Sequence, residues 1–278
     1  MIAKTYSRFK NAIKRLIKII QKPEMIILPG NLSYSLILSI FPAIMIIGYI
    51  ISKLHISTNM IFDILSPSVP ADALEIILKF LSTGFRGGNI VWTIILALIF
   101  SSNGANAIIV TSNILYKNEN SDSLKRKVKS FFLVLILLFV FSITIFILGF
   151  GSTILKTLFG LIDGNYSELY KFFSIVKWPI SFFIIFFLVK VLYTLAPDVR
   201  IKSRTVTRGA LFTTVGWVIV TFIYSIYVSK FARYDVFYGN VSSIIIMMVW
   251  VYILSSILVI GIAINADTYI LENKAKNK

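Results

Sequence analysis

The chain has no cysteine and a single histidine, His55. The first absence excludes disulfides, thiolate metal ligands and a cysteine nucleophile. The second excludes a two-histidine metal site, or a histidine pair working as acid and base within one chain. Charge is scarce as well: 14% of the residues are charged, against about 25% in an ordinary soluble domain. No phosphate-cradling glycine loop, HExxH, GxSxG or EF-hand pattern occurs. No Ser, Thr or Asp has a histidine at a suggestive spacing, so enzyme is the weaker class, and no catalytic residue, cofactor or metal is expected. The N-terminus lacks the short apolar core and small-residue cleavage site of a signal peptide. The chain is therefore expected to keep its N-terminus and to insert through its own helices.

What the chain has instead is apolar surface. Of its 278 residues, 57% are hydrophobic, and the mean hydropathy is +0.86. The run 241–266 carries no charge, and as a helix it rises about 39 Å, enough to cross a bilayer with tilt. The expected fold class is all-α: a polytopic membrane protein with six transmembrane helices and short interfacial amphipathic helices. The spans fall near 31–51, 89–113, 131–150, 178–196, 208–228 and 241–266. Residues 1–30 form a basic amphipathic N-terminal segment, 31–267 the transmembrane domain and 268–278 a basic, disordered tail. In the first segment Phe9, Ile13, Leu16, Ile17 and Ile20 line one face against Lys4, Arg8, Lys10, Lys14, Arg15 and Lys18, the pattern of a helix on an anionic membrane surface. Pro23 and Pro29–Gly30 are expected to break it. Two amphipathic pieces, Thr58–Leu65 and Ala71–Leu81, with the stripe Leu74, Ile77, Leu78 and Leu81, read as helices along the outer interface.

The polar residues inside the spans are not scattered. Asn31, Ser35, Ser39 and Pro42 share a face of the first span, and Pro42 should kink it. Ser102, Asn106 and Asn113 share a face of the second. Ser243, Met247, Trp250, Leu254, Gly261 and Asn265 fall in one arc of the sixth, and Gly209, Thr213, Gly216 and Tyr227 in one arc of the fifth. Such faces are either packing seams or the walls of a polar cavity between the first, second and sixth spans. The cavity candidates are Asn31, Ser35, Ser39, Pro42, Ser102, Asn106, Asn113, Asn265 and Asp267. Lys190, Arg200, Arg204 and Arg208 would form a cationic rim. The third span, nearly all Phe, Leu, Val and Ile, reads as lipid-facing.

The net charge of +16 would point to nucleic acid in a soluble protein. Here basic loops beside anionic headgroups explain it, so membrane lipids are the expected partners and nucleic acid is not. Nineteen Lys and Arg residues lie on the side of the N-terminus, the second and fourth loops and the tail, and eight on the other. By the positive-inside rule both termini are cytoplasmic in a bacterial cytoplasmic membrane.

The order of several segments resembles the YihY/virulence factor BrkB family of integral membrane proteins. Ser33, Tyr34, Leu38, Ser39, Phe41 and Pro42 resemble its A-Y-x-x-L-S-x-F-P segment. Ser101, Ser102, Asn103 and Gly104 resemble its W-S-A-S-x-G segment, and Ser112, Asn113 and Tyr116 echo A-L-N-x-x-Y. Tyr193, Ala196, Pro197 and Arg200 match Y-x-x-A-P-x-x-R, and Gly209 and Trp217 match its G-A…W helix. Tyr238, Gly239, Trp250, Tyr252, Gly261, Asn265 and Ala266 match the closing Y-G…L-W-x-Y…G-A-E-x-N-A. The family's acidic residue of G-A-E-x-N falls on Ala263 here; Asp267, four residues on and on nearly the same helix face, is the available substitute. The family once carried a ribonuclease name, ribonuclease BN. This chain lacks the acidic metal cluster or histidine set that such chemistry needs. The resemblance implies a six-helix membrane protein, either a transporter or lipid translocator (flippase-like) for an anionic lipid or small solute, or a non-transporting envelope scaffold.

Overall fold

A computed structural model describes residues 14, 17–53, 58–66, 69, 71–83, 90–118, 122–159, 166–230 and 241–276. Residues 17–20 are helical, and after them come α1 (Glu24–Lys53), α2 (Thr58–Leu65), α3 (Ala71–Thr83), α4 (Ile90–Leu115), α5 (Ser123–Phe159), α6 (Tyr166–Leu195), α7 (Thr207–Lys230) and α8 (Ser242–Lys276). Among them, four are long and apolar enough to cross a membrane, over Glu24–Ile51, Val91–Leu115, Thr207–Val228 and Ser242–Asn273; a shorter apolar stretch covers Pro179–Leu195.

The six long helices form a ring. α1 packs on α4, α4 on α5, α5 on α6, α6 on α7, α7 on α8, and α8 returns to α1. The outside of the ring is apolar, with Ile26, Phe139, Phe183, Phe222 and Ile223 exposed. A surface of that kind is stable against acyl chains and costly against water. Inside, one core cluster runs from Leu28 and Leu32 through Ile108, Leu133, Val189 and Leu192 to Leu258 and Ile262. The two short helices pack through their amphipathic stripes. Leu74 is buried, Ile77 and Leu78 pack on Ile44, Ile51 and Ile61, and α3 touches both α1 and α8.

Three expectations change. Pro29–Gly30 does not break the chain: α1 starts at Glu24 and runs through Pro29 and Pro42. The break is the turn at 21–23. Near a helix start, Pro29 forfeits only the bond that its missing N–H would make to the Met25 carbonyl. The tail is not disordered from 268 onward, because α8 continues to Lys276; Ala266 and the half-buried Tyr269 still pack on the core and carry the helix past the apolar run. The third span is not simply lipid-facing. Phe132, Ile136 and Phe139 are exposed, but Leu133, Val134 and Leu138 are buried. A uniformly apolar helix gives no moment to show which face turns inward. Of the N-terminal face, Ile17 and Ile20 are exposed and the neighbouring Ile19 is buried; Phe9, Ile13 and Leu16 lie outside the described residues, as does His55.

Candidate functional site

A partly open cavity of about 330 Å³ lies among the long helices. Every long helix contributes to its wall: Leu36, Ser39, Ile40 and Ala43 from α1; Ser101, Gly104, Ala105 and Ile108 from α4; Val134, Leu137 and Leu138 from α5; Leu192 from α6; Trp217 from α7; Trp250, Val251, Leu254, Ser255 and Leu258 from α8. Its size is at the lower end of small-molecule sites, and its wall is almost wholly apolar.

The wall's few polar groups are mostly engaged. Ser39 Oγ donates to the Ser35 carbonyl at 2.7 Å and lies 3.2 Å from the Phe100 carbonyl. Ser101 Oγ donates to the Ser39 carbonyl at 3.4 Å. Trp217 Nε1 donates to the Leu254 carbonyl at 2.9 Å, and Trp250 Nε1 to Thr221 Oγ1 at 3.2 Å. Ser255 Oγ alone among these hydroxyls is buried without a partner. Helices α1 and α4 can meet this closely because residue 104 is glycine: a Cβ there would stand 2.9 Å from Ser39 Cβ. This is the small-residue approach by which membrane helices pack.

The predicted polar residues lie elsewhere, and only Ser39 lines the cavity. Asn31 is exposed, and Ser35, Pro42 and Asp267 are half-buried. Ser102 is buried, with its Oγ on the Ile99 carbonyl of its own helix at 2.7 Å. Asn106 Oδ1 accepts from Arg126 Nε at 3.1 Å, joining α4 to α5. Asn113 donates to Asp198 Oδ2 at 2.6 Å and accepts from the Asp198 backbone N–H at 2.9 Å. Asn265 is fully buried; its Oδ1 accepts from the Gly209 N–H at 2.8 Å, while its Nδ2 has no partner. The amides thus tie helix to helix and leave the cavity wall apolar. An amide in a low-dielectric interior is stabilised most by a fixed partner, and packed helices supply one.

Two groups of residues escaped the sequence reading. The first is Arg126 and Asp198, the partners just named, together with Lys129. Lys129 Nζ donates to Asp198 Oδ1 at 2.6 Å and to the Ala196 and Pro197 carbonyls at 2.9 and 2.8 Å. It so caps the C-terminal end of α6, where carbonyls lack intrahelical partners. The second is Tyr193, noted in the sequence only as part of a motif; its hydroxyl meets Thr213 Oγ1 at 2.6 Å and donates to the Leu258 carbonyl at 2.8 Å. The A-P-D sequence at 196–198 was the available signal for the first, since proline ends a helix and leaves carbonyls to be capped.

Of the expected cationic rim, Arg200, Arg204 and Arg208 are exposed, and Lys190 is half-buried with Nζ 5.9 Å from the centre of the Phe186 ring. α4 ends in a Schellman turn, in which the Asn118 N–H reaches the Asn113 carbonyl at 2.9 Å and Lys117 takes the left-handed conformation with φ 57°. That ending presents Asn113 and basic residues together at one end of the bundle. There the Tyr116 ring packs edge-on against Tyr269 at 5.5 Å, and burial, with a smaller contribution from Tyr269, pushes the Tyr116 phenol above its usual range.

The model of the family described as Virulence factor BrkB matches residues 20–278. The chain is 30% identical over 242 residues to a protein of Bacillus subtilis (strain 168) named putative ribonuclease-like protein YfkH, covering 85% of this chain and 87% of that one. It is 26% identical over 242 residues to a UPF0761 membrane protein of Haemophilus influenzae (strain 86-028NP), covering 84% and 85%. It is 22% identical over 258 residues to a UPF0761 membrane protein of Actinobacillus pleuropneumoniae serotype 5b (strain L20), covering 90% of each. No solved structure matches the chain.

Proposed function

The chain belongs to the virulence factor BrkB family of membrane proteins, and from that premise we propose that it translocates a lipid across a bacterial cytoplasmic membrane. The observation that carries this reading is the partly open, apolar 330 Å³ cavity lined by all six long helices. A scaffold has no use for an apolar space at its centre. Empty volume forfeits dispersion contacts with the wall and costs stability. A cavity that admits acyl chains recovers those contacts when filled.

In this reading the six long helices are six spans, both termini are cytoplasmic, and the basic residues at the ends of α4, α6 and α7 meet anionic headgroups. On this proposal the chain acts as neither a ribonuclease nor another enzyme. The name of YfkH belongs to that protein; among the described residues here, no three His, Cys, Asp or Glu side chains group to hold a metal ion. The rival reading, a non-transporting envelope scaffold, draws on the tight seam at Tyr193, Thr213 and Gly261, which favours rigidity.

Purified protein reconstituted into vesicles with fluorescently labelled phosphatidylglycerol tests the choice. A membrane-impermeant reductant bleaches only the outer leaflet of protein-free vesicles. Protein should extend bleaching to the inner leaflet, and Ala105→Trp, which fills the cavity, should abolish that extension. Bleaching equal to protein-free vesicles sinks the translocator reading and leaves the scaffold.

A further inference from the structure

We infer that the cavity binds a neutral lipid whose single oxygen, a hydroxyl or a carbonyl, is held by Ser255. The inference rests on the reading of the cavity as a lipid space, names the class of lipid, and does not require translocation. Its first support is an unused hydroxyl. Ser255 is 1% exposed and lines the cavity, and its Oγ has no partner. Other helical hydroxyls bond back to a carbonyl one turn earlier. Ser256 Oγ donates to Tyr252 at 2.8 Å and Thr268 Oγ1 to Ile264 at 3.0 Å, both on α8 itself, and Ser39 Oγ to Ser35 at 2.7 Å on α1. Ser255 departs from its immediate neighbour. A buried hydroxyl left without a partner is costly, and a ligand oxygen in the cavity removes that cost. Serine offers one donor and two acceptor positions, so it can hold a hydroxyl or a carbonyl.

The second support is depth and charge. Ser255 lies thirteen residues after Ser242 and eighteen before Asn273, the ends of the apolar span of α8. Helical rise puts it about 20 Å from one end and about 27 Å from the other. None of the residues lining the cavity is charged. An ion at that depth would be unpaired and costly, whereas a neutral oxygen needs only the hydrogen bond that Ser255 has free. The other polar groups of the wall are engaged. Ser101 Oγ donates to the Ser39 carbonyl, and the indole N–H groups of Trp217 and Trp250 donate to the Leu254 carbonyl and to Thr221 Oγ1. The occupant therefore has one polar group on an otherwise apolar frame. The third support is size. An apolar cavity of about 150 Å³ takes one benzene, six heavy atoms, so about 330 Å³ takes roughly thirteen. That is the count of a twelve-carbon alcohol, and because the cavity is partly open a longer frame can extend into the bilayer.

The test uses the full-length protein in lipid nanodiscs and three photoactivatable twelve-carbon compounds with a mid-chain diazirine: the alcohol, the unsubstituted alkane and the sulfate ester. The alcohol should label Leu137, Trp250 and Leu254 saturably. Ser255→Ala should raise the alcohol concentration for half-maximal labelling about fivefold, the loss of one neutral hydrogen bond, and leave the alkane unchanged. The sulfate, which stays ionised, should label the wall about tenfold more weakly than the alcohol, or not at all. Ala105→Trp should remove labelling of the wall; should that variant elute as aggregate, Ala43→Phe fills the cavity from α1.

Labelling confined to outward residues such as Phe132 and Phe139, or unaffected by cavity filling, overturns the site. An equal effect of Ser255→Ala on alcohol and alkane, or none on either, overturns the role of Ser255. Wall labelling by the sulfate as strong as by the alcohol overturns the neutral occupant. Wall labelling by the alcohol without protein-dependent bleaching leaves this inference standing and removes the translocator. Bleaching without wall labelling does the reverse.

Discussion

Lys129 stands 2.6 Å from Asp198, across the gap between the start of α5 and the end of α6. Asn113 of α4 holds the other carboxylate oxygen at 2.6 Å, so three helices meet on one side chain. Both charged side chains are less than a third exposed, at 30% and 26%, which places the pair between a screened surface bridge and a buried one. Lys129→Met removes the ion pair and two carbonyl caps together, and should cost about 1–3 kcal/mol. Asn113→Leu should cost a similar amount. Because both act through Asp198, the double variant should lose less than the sum. Thermal unfolding of the four proteins in one detergent checks this; strict additivity would break the claim that they share a node.

Gly209 and Gly261 let α7 and α8 cross backbone to backbone. A Cβ on Gly209 would collide with the Gly261 carbonyl and the Asn265 amide, and one on Gly261 with Thr213 Oγ1 and the Tyr193 hydroxyl. Gly209→Ala and Gly261→Ala should each lower stability by about 1–3 kcal/mol or more through overpacking. A Cβ on Gly30 would meet nothing within 4 Å, so Gly30→Ala should be neutral or stabilising by up to about 1 kcal/mol. Melting temperatures that rank Gly30→Ala with the other two would refute the crossing.

Lys117 occupies a left-handed position, φ 57°, at the end of α4. Glycine relieves the Cβ clash there, so Lys117→Gly should stabilise by about 1 kcal/mol. A drop in melting temperature would mean that the lysine side chain matters more than its backbone.

Topology follows from charge. Reporter fusions at Lys278 and at Asp163 should lie on opposite sides of the membrane, with Lys278 cytoplasmic, because 19 of 28 Lys and Arg residues fall on the side of the termini. Fusions reporting the same side for both would exclude six spans.

RNA cleavage should be absent from purified protein with or without divalent metal. Metal-dependent cleavage that copurifies with the chain and vanishes in Asp198→Ala would reverse that reading.

Several features were legible in the amino-acid order because they depend on one helix at a time. A charge-free run long enough for a bilayer, an amphipathic stripe at Leu74, Ile77 and Leu78, and small residues recurring on one face at Gly209, Thr213 and Gly216 are periodicities along a single axis. They specify the helical class, the apolar spans, the short amphipathic helices and the existence of seams. The ordered motifs from Tyr34 to Asn265 also carried the family.

What each polar face was for is a different kind of fact. Asn106, Asn113 and Asn265 read equally well as cavity wall or as seam, since an amide in hydrocarbon needs a partner and a sequence does not say whether that partner is ligand, water or protein. The fold supplied Arg126, Asp198 and the Gly209 N–H, residues 20, 85 and 56 positions away. The cavity was hidden for the opposite reason. Leu36, Leu137, Val251 and Leu258 have no pattern to distinguish lining from filling, because a void is the shape left by six helices in a ring. Local periodicity determined which stretches are helical and which stripe packs on the amphipathic pieces; only the packing of six helices decided which side chains touch one another and which face empty space.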